Sequence, residues 1–318
     1  MKKTILYSFL LLAILSACNR NKKAITRFDT PTSGEAMIVC DECFAPIIQE
    51  EIAVFTGLNQ SAHITPIFTS ENEAFKLLTT DSIRLAIVSR ELTEQEKTYL
   101  KKFKRVPRTQ QIAIDGIALI INKENTDSLL SISALQKIMT GKIEYWDEIS
   151  SHKKEILQPI TVVFDNQNSS TLRFIKDSVC LAQPIGKKLN AASSNQAVID
   201  YVSKHPHALG VIGVNWISNP DDSTKLSFNN TIRVMSISRN HYPTPDNSYK
   251  PFPAYLATGD YPLVRNIYAI ISDVRGGLPA GFVSFIAGDS GQRIILKAGL
   301  VPATRPTRLI NIQTNFNE

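Results

Sequence analysis

A chain of 318 residues that is 43% hydrophobic and 20% charged can bury one large core or two smaller ones, and its composition is neither disordered nor fibrous. Its 35 basic and 29 acidic residues leave a formal charge of +6, interspersed without a basic stripe, so the sequence gives no support for a nucleic-acid-binding surface.

The N-terminus carries Lys2 and Lys3, an apolar run from Ile5 to Leu15, and then Leu15-Ser16-Ala17-Cys18 before the polar Asn19-Arg20-Asn21-Lys22-Lys23. So short an apolar run cannot span a bilayer, and the layout is that of a secretory signal. The small residues before Cys18 resemble the bacterial lipoprotein signal, which implies acylation of the Cys18 thiol and cleavage in front of it. Residues 1–17 are then the signal and 18–36 a lipidated tether. The expected location is the cell envelope, anchored to a membrane and facing the periplasm or the exterior.

Short apolar runs alternate with helical patterns from Met37 onward, the signature of parallel sheets covered by helices. The first unit reads as strand Met37–Cys40, helix Phe44–Phe55, strand Ile64–Phe68, helix Glu71–Leu78 and strand Leu85–Val88, followed by a helix at Glu94–Phe103. Gln110–Ile114 and Gly116–Ile121 form a long β run interrupted by Asp115-Gly116, and such a run can leave one sheet and enter another. A second unit has a helix at Ser131–Met139, strands at Ile160–Phe164 and Leu209–Val214, and helices near Thr171–Asp177 and Asn195–Lys204. Pro243–Tyr261 is dense in Pro, Asp, Asn and aromatics and reads as a long loop or crossover. Strand Val264–Ile271 and helices Gly281–Ile286 and Ser290–Ala298 close the chain.

Catalytic and metal motifs are absent. Cys40 and Cys43 share a Cys-x-x-Cys spacing with no second pair and no histidine at ligand spacing, so they read as a local disulfide or two free thiols in an exported protein. His63, His152, His205, His207 and His241 lie outside any Gly-x-Ser-x-Gly or His-Glu-x-x-His pattern, and no Gly-rich turn ends in Gly-Lys-Ser or Gly-Lys-Thr. No cofactor, metal or catalytic residue is expected.

Three stretches together resemble the phosphate-binding subunits of ABC transporters. The first runs from Asp115-Gly116-Ile117-Ala118 through Met139-Thr140-Gly141-Lys142 to Tyr145-Trp146, the second is Ala208-Leu209-Gly210-Val211-Ile212-Gly213, and the third runs from Tyr261-Pro262-Leu263-Val264-Arg265 to Val301-Pro302. The resemblance implies an α/β, two-lobed, type II periplasmic-binding-protein fold with a ligand cleft between its lobes. Lobe 1 would take residues 37–115 and 245–318, lobe 2 residues 116–244, and the lobes would close by hinge bending. It also implies a monomer that hands phosphate or a similar small anion to ABC permease subunits. Two other classes compete: the same fold serving a non-phosphate ligand in sensing or surface interaction, and a hydrolase.

Backbone N–H groups at helix N-termini, hydroxyls and an arginine fork hold an oxyanion best. Four strand-to-helix turns offer that chemistry: Asp41-Glu42-Cys43-Phe44, Thr69-Ser70, Ser89-Arg90 and Asn168-Ser169-Ser170-Thr171. The last stands where the family has its Ser-Gly-Thr anion loop, and Arg90 is the first choice for the charged contact. Two departures oppose an anion. The first turn carries two carboxylates, and Asp165 stands near where many family members place an arginine.

Overall fold

The structure is a computed structural model that describes residues 29–80, 83–149, 158–186, 189–219, 222, 227–272 and 276–304. The expected signal, Cys18 and most of the tether lie outside the described residues. Among the described residues no helix is long and apolar enough to cross a membrane.

The strands are β1 Gly34–Asp41, β2 Ala62–Thr69, β3 Leu85–Val88, β4 Arg108–Ile121, β5 Leu129–Ser131, β6 Thr161–Phe164, β7 Leu189–Ala191, β8 Ala208–Gly213, β9 Arg233–Val234, β10 Ser236–Ser238, β11 Val264–Ile271 and β12 Val301–Pro302. The helices are α1 Ala45–Leu58, α2 Glu71–Leu78, α3 Glu94–Lys102, α4 Ile132–Met139, α5 Ser170–Phe174, α6 Asn195–Lys204, α7 Pro253–Thr258, α8 Leu278–Ala287 and α9 Asp289–Lys297. β1 opens three residues before the apolar pattern does, because Gly34–Ala36 already pair with Ala62–Ile64. The loop expected over Pro243–Tyr261 contains α7, started by Pro253 at a position where its missing N–H costs nothing.

The strand order is β2-β1-β3-β11-β4-β8-β6-β7, with β9 and β12 also pairing to β4. β4 explains the two-lobed shape. It is one unbroken strand rather than an interrupted run: Arg108–Gly116 lie antiparallel to β11, and Ile117–Ile121 lie antiparallel to β8. One side of it gathers β1, β2 and β3 in parallel; the other gathers β6, β7 and β8 in parallel. Near-continuous apolar runs such as Leu85–Val88 and Ile117–Ile121 are fully buried, as strands covered on both faces must be.

The polypeptide changes partner at Gly116. A Cβ there would meet Leu256 Cδ2 at 2.8 Å and Val214 Cγ2 at 3.1 Å, so α7 can pack against the crossing only because the residue is glycine. Within the Met139-Thr140-Gly141-Lys142 motif, Gly141 takes φ +73°, the left-handed geometry that ends α4 without a Cβ clash.

Candidate functional site

In open α/β sheets the carboxyl ends of the strands face the ligand crevice. Here both halves of the sheet bring those ends to one place. β1 ends at Asp41 and feeds a 3-10 turn, Glu42–Phe44, into α1; β6 ends at Phe164 and feeds Asp165 and a loop into α5. Asp41, Cys43, Phe44, Asp165, Ser169, Ser170, Thr171 and Asn195 are all at least 98% buried, although most belong to loops or helix starts. Polar groups hidden so thoroughly must find partners or cost free energy, and for Cys43, Ser170, Thr171 and Asn195 partners come from the opposite half.

Arg265, on β11, sits at the centre. Its Nε and Nη2 both approach Asp115 Oδ2 at 2.8 Å; Nη1 donates to Ser170 Oγ at 2.8 Å; Nη2 also donates to Cys43 Sγ at 2.8 Å. The guanidinium carbon lies 4.9 Å from the Phe44 ring centroid. Thr171 Oγ1 and Cys43 Sγ are 3.4 Å apart, while Asn215 Nδ2 and Trp216 Nε1 donate to the Cys43 carbonyl at 3.0 and 2.8 Å. Cys43 is therefore gripped from both halves, and Gly213 makes room for it: a Cβ there would lie 2.9 Å from the sulfur. Both Cys40 and Cys43 are buried free thiols, and burial raises the pKa of each above the usual thiol range.

A second bridge flanks this centre. Arg173, one turn into α5, donates from Nε to Glu71 Oε2 at 2.5 Å and from Nη2 to Ser89 Oγ at 2.8 Å. Glu71 also accepts from Ser89 N and Oγ at 2.8 and 2.7 Å. Burial works to raise the Glu71 pKa, but the hydrogen bonds and charge of Arg173 outweigh it and hold the carboxyl below its ordinary range. A third bridge runs from Asn195 Nδ2 to Glu42 Oε2, with Asp165 Oδ2 at 3.5 Å on the same amide.

The carboxylates facing the centre are pushed the other way. Burial, reinforced by the charge of Glu71, raises Asp41 to about 7 despite Arg265 and Ser170. Burial likewise raises Glu42, Asp115 and Asp165. Asp41 Oδ2, Asp115 Oδ1, Asp165 Oδ1, Asn195 Oδ1 and Asn215 Oδ1 are buried acceptors without a well-formed hydrogen bond, although the Ser170 hydroxyl stands beside Asp41 and the Ser169 hydroxyl beside Asp165.

The residues expected from the sequence divide into three groups. Ser170, Thr171, Cys43 and Phe44 meet around Arg265, with Asp41 and Glu42 on the same turn. Ser89 joins the flanking bridge. The remaining positions are occupied otherwise: Ser169 caps α5 by accepting from Leu172 N at 3.2 Å, and Ser70 caps α2 by accepting from Glu73 N at 3.4 Å. Thr69 ends β2 opposite Asp41, and Asn168 is exposed, its N–H held by Asn166 Oδ1 at 2.8 Å. Arg90 does not reach the centre. Both its Nη atoms bond Glu96 at 2.9 Å, and its guanidinium lies 3.6 Å from the Phe75 ring centroid. The arginine that does reach it, Arg265, is a buried cation in a mostly apolar strand, with Asp115 as its equally anomalous partner on β4.

A sheet divided by one crossing strand, with strand ends and helix starts from both halves closing on a buried polar centre, defines a two-lobed binding protein with its cleft between the lobes. The sequence profile of the PBP superfamily domain matches residues 26–290, and the chain belongs to that family, which makes it a binding protein and not an enzyme. It is 22% identical over 313 residues to the phosphate-binding protein PstS of Borreliella burgdorferi, covering 95% of this chain and 99% of that one. PstS of Staphylococcus aureus is 23% identical over 299 residues, covering 92% and 85%. Among solved structures, a Clostridium perfringens protein crystallised with bound phosphate superposes with a TM-score of 0.68 at 20% identity, covering 85% of this chain and 100% of that one. An ABC-type phosphate transport receptor from Vibrio cholerae gives a TM-score of 0.62 at 18% identity, covering 84% and 99%.

Proposed function

We propose that this chain captures phosphate or a similar oxyanion in the cleft and delivers it to the permease subunits of an ABC transporter. In this reading it works as a monomer held on a membrane of the cell envelope by lipid on Cys18, facing the periplasm or exterior. Lobe 1 comprises residues 37–115 and 245–318, and lobe 2 residues 116–244. Support for the ligand comes from the named relatives. Support for the place comes from one observation: Ser170 on α5 and the Cys43 turn before α1 arrive from opposite halves at the same guanidinium, each within 2.8 Å. Hydroxyls, helix-start N–H groups and a fork of N–H donors form the donor set that an oxyanion requires.

Calorimetric titration of the soluble part, residues 24–318, with inorganic phosphate tests the reading. Saturable binding is expected, with a thermal stabilisation of about 4 kcal/mol at a thousand times the dissociation constant. No binding of phosphate at any pH would overturn it. The anchor is tested separately: Cys18→Ser should release the protein from membranes or leave an uncleaved precursor, and membrane-bound mature protein in that variant would refute lipidation.

A further inference from the structure

We propose that the end of the β1-β2-β3 half farthest from the cleft docks on an anionic phospholipid surface, with Tyr99, Phe103 and Val106 entering the headgroup layer and Lys101, Lys102 and Lys104 meeting lipid phosphates. This contact goes beyond the function proposed above, being separate both from lipid on Cys18 and from the ligand site.

Over the whole chain the charges are interspersed, but residues 97–108 depart from that pattern, with six cations and no acid in twelve positions. The fold uses only part of them. Lys97 pairs with Glu94 at 2.9 Å, and Arg105 turns inward, its Nη1 donating to the carbonyls of Thr79 and Thr80 at 3.2 and 2.8 Å. Lys101, Lys102 and Lys104 are exposed, and among the described residues no carboxylate bonds them. Lysines in the last helical turn complement the helix dipole, which accounts for Lys101 and Lys102. It does not account for the apolar side chains beside them. Tyr99, Phe103 and Val106 are 44%, 60% and 53% exposed, and the Tyr99 and Phe103 rings lie 5.1 Å apart. Aromatic and aliphatic groups flanked by unpaired lysines have the composition of a surface that lies in a membrane interface.

α3 ends in a Schellman turn, in which Arg105 N donates to Leu100 O at 3.0 Å and Lys104 N to Lys101 O at 2.9 Å. Lys104 has φ +58°, a left-handed conformation that glycine usually fills at this position. The chain thus gives up stability there and gains a charge at the tip of the turn.

The location suits the partner. The cleft lies at the carboxyl ends of β1 and β3, and α3 runs back from there. Its far end leads into Arg108, which pairs with Ile271, the partner of Leu85 at the start of β3. The chain enters at the same end, where Asp29 bonds Arg84, just ahead of β3, and accepts from Leu278 N at 2.6 Å. The eight residues of β1, at about 3.3 Å each, keep the cleft roughly 26 Å from that end. A protein seated on this patch therefore holds its cleft away from the lipid.

The test is co-sedimentation of residues 24–318, which lack the lipidated cysteine, with vesicles of phosphatidylcholine alone or of equal parts phosphatidylcholine and phosphatidylglycerol. Binding to the anionic vesicles should be at least about tenfold stronger and should weaken as salt rises. Changing Lys101, Lys102 and Lys104 together to Gln should weaken it roughly a hundredfold, at about fivefold per lysine. Lys104→Gly should cost about fivefold in binding with thermal stability equal or higher, because glycine adopts the left-handed conformation freely, and this separates lost binding from lost folding. Phe103→Ser should weaken binding by about the same factor at low and high salt. Sedimentation unchanged in the triple variant, or equal on the two kinds of vesicle, overturns the proposal. Binding to soluble polyphosphate without binding to vesicles also overturns it and assigns the patch to a free polyanion. None of these readouts involves phosphate in the cleft or lipid on Cys18, so failure here is distinguishable from failure of either.

Discussion

Asp41 and Glu51 are both buried acids on the first strand-helix unit, and they show what an unpaired carboxyl does in two settings. Asp41 stands among polar neighbours at the cleft. Glu51 stands on α1 against Ile47, Ile48, Ile112, Ala113, Ile267, Ile286 and Ile295, with neither carboxyl oxygen bonded, and burial followed by the charge of Glu50 raises it to about 9. The folded state therefore keeps a proton on Glu51 that the unfolded chain, at its ordinary 4.5, releases. Its contribution is fully present below pH 4.5 and is lost progressively as pH rises to about 9. By pH 7 that loss is roughly 3 kcal/mol, taking 1.36 kcal/mol per unit. Glu51→Leu is accordingly expected to raise unfolding stability by about 2 to 3 kcal/mol at pH 7 and to flatten its pH dependence between 5 and 9. Urea melts at several pH values measure both. A variant no more stable than wild type at pH 7 would show that Glu51 has a partner in solution.

At the scale of elements, the apolar rhythm of the chain disclosed most of the architecture. Every strand of five or more buried residues and every helix except α7 could be placed from periodicity, because those segments are buried on faces that the sequence must mark with Val, Ile and Leu. The two- and three-residue strands β5, β7, β9, β10 and β12 could not, since pieces so short have no period and owe their place to neighbours such as β4. The cleft was half legible. Turns follow from strand-to-helix transitions, so Asp41–Phe44 and Ser169–Thr171 were found. Arg265, Asn195 and Asn215 were not: a charge inside a buried strand marks Arg265 as unusual, but nothing local identifies partners 95 or 153 residues away. Gly116 is the element-scale position most open to test. With Leu256 and Val214 within 3.1 Å of where a Cβ would stand, Gly116→Val should cost about 1 to 3 kcal/mol of unfolding stability through overpacking at the crossing. A denaturant midpoint equal to wild type would show that α7 can move aside.

At the scale of the molecule, bridges join the two halves across the polar centre, and Glu71–Arg173 is one built from opposite charges on α2 and α5; in the function proposed above, such bridges hold the lobes closed. Glu71 is 1% exposed and its pKa is lowered, so the bridge stays charged well into mildly acidic solution. Breaking one partner of a buried pair leaves the other stranded, whereas Glu71→Gln keeps an acceptor for Ser89 and removes only the charge. An open arrangement of hinged lobes would expose both groups to water and lose little by the change, whereas the arrangement in the structure loses the ion pair. The closed fraction of the ligand-free protein should therefore fall, and the apparent dissociation constant for phosphate should rise by the same factor, since ligand must now supply the missing closure. A pair with Arg173 28% exposed is partly screened, which puts that factor at roughly 3 to 10, or about 1 kcal/mol. Small-angle scattering should show a larger radius of gyration for ligand-free Glu71→Gln than for wild type, and the two should converge at saturating phosphate. Equal radii without ligand, together with weakened binding, would place Glu71 in direct contact with the ligand rather than in the closure of the lobes.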